Sequence, residues 1–111
     1  MIHSYLKQVF MFTLAMILLA ATVSGQTGKI VGTITDEAGI PLPGTTIRVD
    51  RTTLGATSDQ NGTFRLSSVP SGNQTLLITL LGFQRIEREV LVNSSGEVRV
   101  DITLEEDVLQ L

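Results

Sequence analysis

Few residues in this sequence are of types that catalyse reactions or bind metals. The first candidate is the stretch Asp59-Gln60-Asn61-Gly62. An acid, an amide two positions later and then a glycine are typical of the start of an EF-hand calcium loop. That loop needs its glycine at position 6 and a bidentate glutamate at position 12. Counted from Asp59, glycine already stands fourth and Pro70 stands twelfth. The spacing therefore predicts no metal site. It predicts a type I or I′ turn of a β-hairpin, in which Gly62 tolerates the backbone conformation of the turn.

The residue types that usually carry catalysis are almost missing. The chain has one histidine, His3, and one tyrosine, Tyr5, both at its very beginning, and it has no cysteine or tryptophan. A histidine-based nucleophile pair and a His/Cys zinc site are therefore excluded for the rest of the chain. The formal net charge is −3 with no basic patch, which excludes nucleic acid as an expected partner. We predict no enzyme activity, no catalytic residue, no metal and no cofactor.

The carboxylates are the remaining candidates for acid–base chemistry. Asp36 and Glu37 lie in a predicted turn, and Glu105–Asp107 lie in the tail that follows the last predicted strand. Glu87 and Glu89 alternate with arginines in the stretch Arg85–Val92. Charges of this kind usually belong to a solvated surface, where opposite charges pair across neighbouring strands. We therefore predict surface ion pairing for Glu87 and Glu89.

The first 25 residues have the organisation of an export signal. Lys7 supplies a positive charge, Val9–Val23 is an uncharged apolar run, and small residues lead to Gly25. These features predict a signal peptide over residues 1–25, cleaved after Gly25. The alternative is a membrane anchor, for which the run is short, because a spanning helix needs about 20 apolar residues. We expect the remaining residues, 26–111, to be exported as one small domain.

Beyond residue 28 the hydrophobic pattern has the period of β-strands. Apolar and polar residues alternate, with charges on the face opposite the apolar one, and turn sequences rich in Gly, Pro and Asn separate the runs. Residues 74–81 are apolar on both faces, which predicts a central strand buried on both sides. Arg88 interrupts the apolar face of its strand, which predicts an edge or a bulge. The expected fold is a seven-stranded antiparallel β-sandwich over residues 26–104, with strands near 29–36, 45–51, 54–58, 63–68, 74–81, 84–93 and 97–104.

Several short sequences in this region occur together in one known family. They are VGTITD (31–36), PLPGTTI (41–47), GATSD (55–59), GTF (62–64) and LLGF (80–83). Their order and spacing resemble the carboxypeptidase-regulatory-like domain, a transthyretin-like β-sandwich, over about residues 28–104. The resemblance implies a non-enzymatic domain, and the positions that carry it are Gly32, Asp36, Pro43, Gly44, Gly55, Asp59, Gly62, Phe64, Gly82 and Phe83.

A domain of this kind after a signal peptide is similar to the N-terminal extension of TonB-dependent outer-membrane receptors, which import nutrients such as glycans. The resemblance implies a location in the periplasm or outer membrane, and as partners the rest of a receptor and the periplasmic energy-coupling proteins. Glu105–Leu111 would then be an acidic linker toward a TonB-contacting segment, for which an ordinary frayed terminus is the alternative. Membrane association would come only through a barrel that this sequence lacks. We therefore expect a truncated receptor or a fragment. The alternative is a free-standing secreted β-sandwich for protein–protein or cell-surface adhesion.

Overall fold

A computed structural model of the protein describes Ser4, Leu6, Lys7 and residues 26–110. The apolar run on which the signal-peptide prediction rests, Val9–Val23, lies outside those residues. No helix within the described part of the chain has the length and apolar character needed to cross a membrane.

Residues 26–110 form two facing β-sheets. The strands are β1 (Thr27–Asp36), β2 (Thr46–Val49), β3 (Gly55–Thr57), β4 (Thr63–Pro70), β5 (Gly72–Thr79), β6 (Ile86–Val92), β7 (Glu97–Arg99) and β8 (Ile102–Leu104), followed by a 3₁₀ turn at Val108–Gln110. In one sheet β1 lies between β4 and the pair β7 and β8. The other sheet has the order β3-β2-β5-β6. The predicted β-sandwich is confirmed.

The core fills the space between the two sheets, because alternate residues of each strand point inward. Phe64 is 2% exposed and lies in this core, as its position in the alternating stretch predicts. The buried apolar residues are Ile30, Ile34, Ile47, Val49, Phe64, Leu66, Val69, Leu76, Ile78, Val90, Val92, Val100, Ile102 and Leu104. Both sheets contribute to this set, so each sheet depends on the other for its burial.

The C-terminal end of the sandwich departs from the prediction of one antiparallel strand over 97–104. Residues Val100 and Asp101 divide it into β7 and β8, and both pair with β1 in parallel. At the break the Val100 amide donates a hydrogen bond to the Val31 carbonyl at 2.8 Å. Parallel pairing of the first and last strands makes the chain enter the domain at one end and leave it at the other.

The places of β5 and β6 in their sheet agree with the sequence, whereas the burial of β5 does not. β5 is central in its sheet, as predicted. Its outer face is not buried, since Leu77 is only half-buried and Thr79 is exposed, and the prediction of two buried faces is therefore wrong. The threonines on that face meet solvent because, within residues 26–110, no third layer covers it. β6 lies at the edge of the sheet, which confirms the prediction made from Arg88.

The turn at Asp59–Gly62 connects two different sheets. The strand before it, β3, pairs with β2, whereas the strand after it, β4, pairs with β1. The hairpin predicted for this stretch is therefore wrong, although a tight turn is present. The turn sequence specifies a local reversal of the chain, and the burial of Phe64 and Leu66 beside β1 decides which strand β4 joins.

Candidate interaction surfaces

Two aspartates, Asp36 and Asp59, organise turns with the same hydrogen-bond pattern. Asp36 Oδ1 accepts bonds from the amides of Ala38 and Ile40, each at 2.9 Å. Asp59 Oδ1 accepts bonds from the amides two and four residues later, also at 2.9 Å each. In each turn the glycine three residues after the aspartate has positive φ, 81° at Gly39 and 74° at Gly62. An oxygen of each carboxylate thus stabilises its own turn.

Gly62 is also held close to the first strand. The Ile34 amide donates to the Gly62 carbonyl at 2.7 Å, and a side chain at Gly62 would collide with the Ile34 carbonyl. The Asp59 turn therefore packs against β1 at the end of the sandwich. Its oxygen atoms are placed for backbone contacts, in agreement with a structural role for this sequence.

The other positions that carry the family resemblance are distributed over the fold. Gly32 lies in β1 opposite Phe64 of β4, and a Cβ at Gly32 would overlap the Val100 carbonyl. Gly44, with φ of 77°, and Gly82, with φ of 89°, lie in turns. Pro43 precedes Gly44 in its turn, Gly55 begins β3, and Phe83 packs half-buried against the core. The structure brings Gly32 and Phe64 together and does not gather the ten positions into one cleft.

A buried polar network that the sequence analysis missed joins the start of β2 to the end of β3. Ser58 is 5% exposed and Thr45 is fully buried. Ser58 Oγ accepts a bond from the Thr45 amide at 2.9 Å and donates one to the Leu42 carbonyl at 2.7 Å. Ser58 lies two residues after Ala56, which is half-buried, so both residues belong to the same face of the chain. This spacing is the only signal in the sequence that could have indicated the burial of Ser58.

Replacing Ser58 by alanine is expected to lower the free energy of unfolding by roughly 1–3 kcal/mol, because the buried Thr45 amide loses its acceptor. Urea denaturation followed by circular dichroism measures the change. The matched control is Ser67→Ala, at an exposed position of β4, which should stay within about 0.5 kcal/mol of wild type. Equal effects of the two substitutions would contradict the role of the Ser58 hydroxyl.

The acidic residues that the sequence placed separately, in a turn and in the tail, meet at one end of the sandwich. Asp36, Glu37, Glu105 and Glu106 line a shallow groove of about 350 Å³ together with Ala38 and Leu104. In the part of the chain that the structure describes, no group of three or more acidic or histidine side chains has the arrangement of a metal site. The groove is an acidic surface next to the point where the chain leaves the domain.

The residues after β8 return to the other sheet. The Gln84 amide donates to the Glu105 carbonyl at 2.8 Å, and the Asp107 amide donates to the Gly82 carbonyl at 2.9 Å. Phe83 and Glu106 pair between these two bonds. The start of the tail is thus attached to the β5–β6 turn, and Leu109, 92% exposed, follows it. A linker role for residues 105–111 stays a prediction.

The charges of β6 do not form the cross-strand ion pairs predicted for them. Across the β5–β6 ladder, Glu87 lies opposite Leu77, Arg88 opposite Leu76 and Glu89 opposite Thr75. Within residues 26–110, the ion pair that the structure records is Arg99–Asp101 at 3.2 Å, and it is a local pair between the end of β7 and the break before β8. The prediction is wrong because β5 is the central strand and offers only uncharged partners to β6.

The pKa of the Asp101 carboxyl is lowered by its neighbours in the folded chain. Its Oδ1 accepts bonds from the Thr33 hydroxyl at 2.8 Å and from the Thr33 amide at 3.1 Å. The Thr33 hydroxyl bond is the largest cause of a lowered pKa at this carboxyl. Desolvation is the next largest effect and opposes it, while the Arg99 guanidinium and the Thr33 amide lower the pKa further. The carboxylate thus ties the break between β7 and β8 to β1.

Replacing Thr33 by valine should raise the pKa of Asp101 toward that of an ordinary aspartate, because the hydroxyl donor is lost. A lowered pKa in the folded state stabilises the fold above the pKa of the unfolded chain, and this contribution disappears as pH falls through the folded value. An NMR titration of the Asp101 carboxyl carbon checks the shift, with Thr63→Val as the exposed control. An unchanged Asp101 titration in Thr33→Val would show that the hydroxyl bond is not its cause.

Comparison with known proteins gives one family and several similar structures. The model of the CarboxypepD_reg-like domain matches residues 30–111. A "TonB-dependent receptor P3" of Formosa agariphila is 35% identical over 110 residues, which is 97% of this chain and 10% of that protein. The chain therefore spans about a tenth of the length of this curated relative.

Two solved structures illustrate the likeness in fold. A type II cohesin–X–dockerin complex of Acetivibrio cellulolyticus matches with a TM-score of 0.59 and 25% identity, over 71% of this chain and 58% of that chain. A 3-chlorocatechol 1,2-dioxygenase of Rhodococcus opacus matches with a TM-score of 0.60 and 14% identity, over 76% and 61% of the two chains. At this identity the dioxygenase shows a shared fold and nothing about activity.

Proposed function

The chain belongs to the CarboxypepD_reg-like domain family, and from this membership we propose that it is a non-catalytic accessory domain of a TonB-dependent outer-membrane receptor. The observation that carries the proposal is the alignment of almost the whole chain with one tenth of a TonB-dependent receptor. In this proposal the domain lies in the periplasm, where it contributes partner contact or energy coupling to nutrient uptake, of which glycans are one class.

The chemistry of the described residues supports a non-catalytic role. The buried hydroxyl of Ser58 is held between two backbone groups, and oxygens of Asp36 and Asp59 accept backbone amides of their own turns. A nucleophile or general base needs to face a substrate, and these groups face the chain itself. The proposed contribution is therefore one of binding and positioning.

The path of the chain supports the proposed domain organisation of a leader at 1–25, a sandwich at 26–104 and a linker at 105–111. Because β8 runs parallel to β1, Thr27 and Leu104 lie at opposite ends of the sandwich. A segment that follows residue 111 would then continue from the end that carries the acidic groove. In this proposal the N-terminus left by cleavage of the leader lies at one end of the sandwich, and the following receptor begins from the other.

The first test is the genomic DNA downstream of the codon for Leu111, which should encode a TonB-contacting segment, a plug and a barrel. In the resulting full receptor, an in-frame deletion of residues 27–104 should reduce uptake of its nutrient while the amount of receptor in the outer membrane stays unchanged. Absence of those downstream segments in every reading frame, or unchanged uptake after the deletion, would contradict the proposal.

A second candidate is a free-standing secreted β-sandwich that mediates protein–protein or cell-surface adhesion. The 25% identity with a chain of a cohesin–X–dockerin complex, itself an assembly of proteins, favours it. This candidate requires that cells contain a product ending at Leu111. Mass spectrometry that finds only a longer product would exclude it.

A further inference from the structure

The sandwich exposes several edge strands, and they differ in how well they could receive another strand. β4 contains a bulge, with Ser68 at φ 57° and a shifted register opposite Gly28–Ile30, and it ends in Pro70. β3, β7 and β8 have three residues each. β6 runs from Ile86 to Val92 and pairs with β5 without a register shift. Bulges, prolines and short length protect the other edges, whereas the protection of β6 is its charged side chains, which exclude strands without complementary charges. β6 is therefore the edge best able to accept a partner of matching charge.

The charges of β6 are left without partners on its own sheet. Glu87, Arg88 and Glu89 are exposed, and β5 presents only uncharged residues opposite them. Within residues 26–110 none of these three side chains takes part in an ion pair. The three residues form an acidic–basic–acidic triplet on a regular edge strand. A neighbouring strand with a basic–acidic–basic triplet would place an opposite charge beside each of them.

The same charges oppose pairing of β6 with a second copy of itself. Two copies could join their β6 strands in antiparallel pairing about a twofold axis. Paired residues must lie on the same face of the sheet, so the axis passes beside one residue, which then lies opposite the same residue of the second copy. The registers that pair most of the strand are centred on Arg88, Glu89 or Val90. The first two put like charges directly opposite one another, and the third leaves Arg88 and Glu89 opposite apolar residues. A second copy is therefore a poor occupant of this edge.

Beside the edge lies a groove of about 360 Å³ between β6 and β7. Val90 and Val100 are almost completely buried in its floor, and Val98 is half-buried beside them. Arg88 and Arg99 stand on its rim. A strand added to β6 would direct every second side chain into this groove, so apolar residues are favoured at its inward positions, except opposite Arg88, where an acid is favoured.

We propose that β6 is a docking edge for an extended segment of another protein that carries a basic–acidic–basic triplet flanked by apolar residues. In antiparallel register the triplet lies opposite Glu89, Arg88 and Glu87, and the flanking apolar residues lie opposite Val90, Leu91 and Ile86. Backbone hydrogen bonds of the added strand supply affinity, and the charge triplet selects the partner and its register.

The test uses the chain produced from its full sequence and three fluorescein-labelled peptides. The matched peptide is Thr-Val-Val-Lys-Glu-Lys-Val-Thr, and the inverted peptide has Glu-Lys-Glu at its centre. Fluorescence anisotropy should show roughly tenfold tighter binding of the matched peptide, because each opposed charge changes from repulsion to attraction. A peptide of identical composition with Lys-Lys-Glu at its centre should bind more weakly than the matched one.

The charge-swapped variant E87K/R88E/E89K should reverse the preference and bind the inverted peptide more tightly. The control T63K/S67K adds the same net charge at exposed positions of β4 and should keep the wild-type preference. Absence of binding of the matched peptide to the wild-type chain, or a swapped variant that still prefers it, would overturn the proposal. The measurement uses this chain alone, so its outcome is separate from that of the receptor deletion.

Discussion

Replacing Gly32 by alanine is expected to destabilise the protein by about 3 kcal/mol, at the upper end of the range for overpacked positions. A Cβ at Gly32 would overlap the carbonyl group of Val100, and it would lie 2.9 Å from Cε1 of Phe64. The phenyl ring has some freedom to move. The carbonyl belongs to the backbone between β7 and β8, and its displacement would disturb the parallel pairing with β1. Urea denaturation measures the loss as a shift of the midpoint.

The control for this substitution is Gly39→Ala. Gly39 has a φ of 81°, and a Cβ at this position would have no neighbouring atom within 4 Å, so the alanine methyl group meets open space. The substitution should cost only about 1–2 kcal/mol for the left-handed backbone. A Gly32→Ala variant as stable as Gly39→Ala would show that β1 and the Val100 backbone can separate freely, and that the close approach does not hold the last strands in place.

The parallel pairing on either side of Gly32 illustrates what an alternating sequence cannot indicate. A period of two residues describes parallel and antiparallel strands equally, so the run 97–104 predicted a strand and gave no information about its direction. Its division at Val100 and Asp101 depends on contacts with Val31 and Thr33, about seventy positions earlier in the chain. Only the three-dimensional arrangement brings those groups together.

The sequence predicted those structural features that depend on neighbouring residues of the same strand or turn. Period 2 placed Phe64, Leu66, Ile47 and Val49 in the core, because each strand buries one face. Arg88 on an otherwise apolar face indicated an edge, because a charged side chain can reach water only there. The Asp59–Gly62 sequence indicated a turn for the same kind of reason, since its aspartate and glycine form their own hydrogen bonds and backbone angle.

Choice of partner was the step that the sequence could not supply. The turn at Asp59–Gly62 could have joined two strands of one sheet, and it joins two sheets. The charges at Glu87 and Glu89 could have met arginines on a neighbour, and they face Leu77 and Thr75. Both outcomes depend on strand order, and strand order depends on how the whole set of apolar faces is buried. The unpaired charges of β6 became informative only after that order was known.

Replacing Phe64 by alanine should have the largest effect of any single truncation in the core, a loss of about 3–5 kcal/mol. The ring is 2% exposed and lies between the sheets beside Gly32, so its removal leaves a cavity that neighbouring backbone cannot close. The total stability of a domain is only about 5–15 kcal/mol, and small domains lie toward the lower limit. We therefore expect a substantial unfolded fraction at about 37 °C, seen as a lowered thermal midpoint by circular dichroism.

The matched control is Leu81→Ala, which also removes a large apolar side chain but from a position that is 93% exposed. It should change the free energy of unfolding by less than about 0.5 kcal/mol, because no buried contact is lost. The comparison separates burial from hydrophobicity as the cause. If both variants unfold at the same temperature, Phe64 is not held between the sheets. If only Phe64→Ala is destabilised, the buried aromatic ring is required for the two sheets to pack.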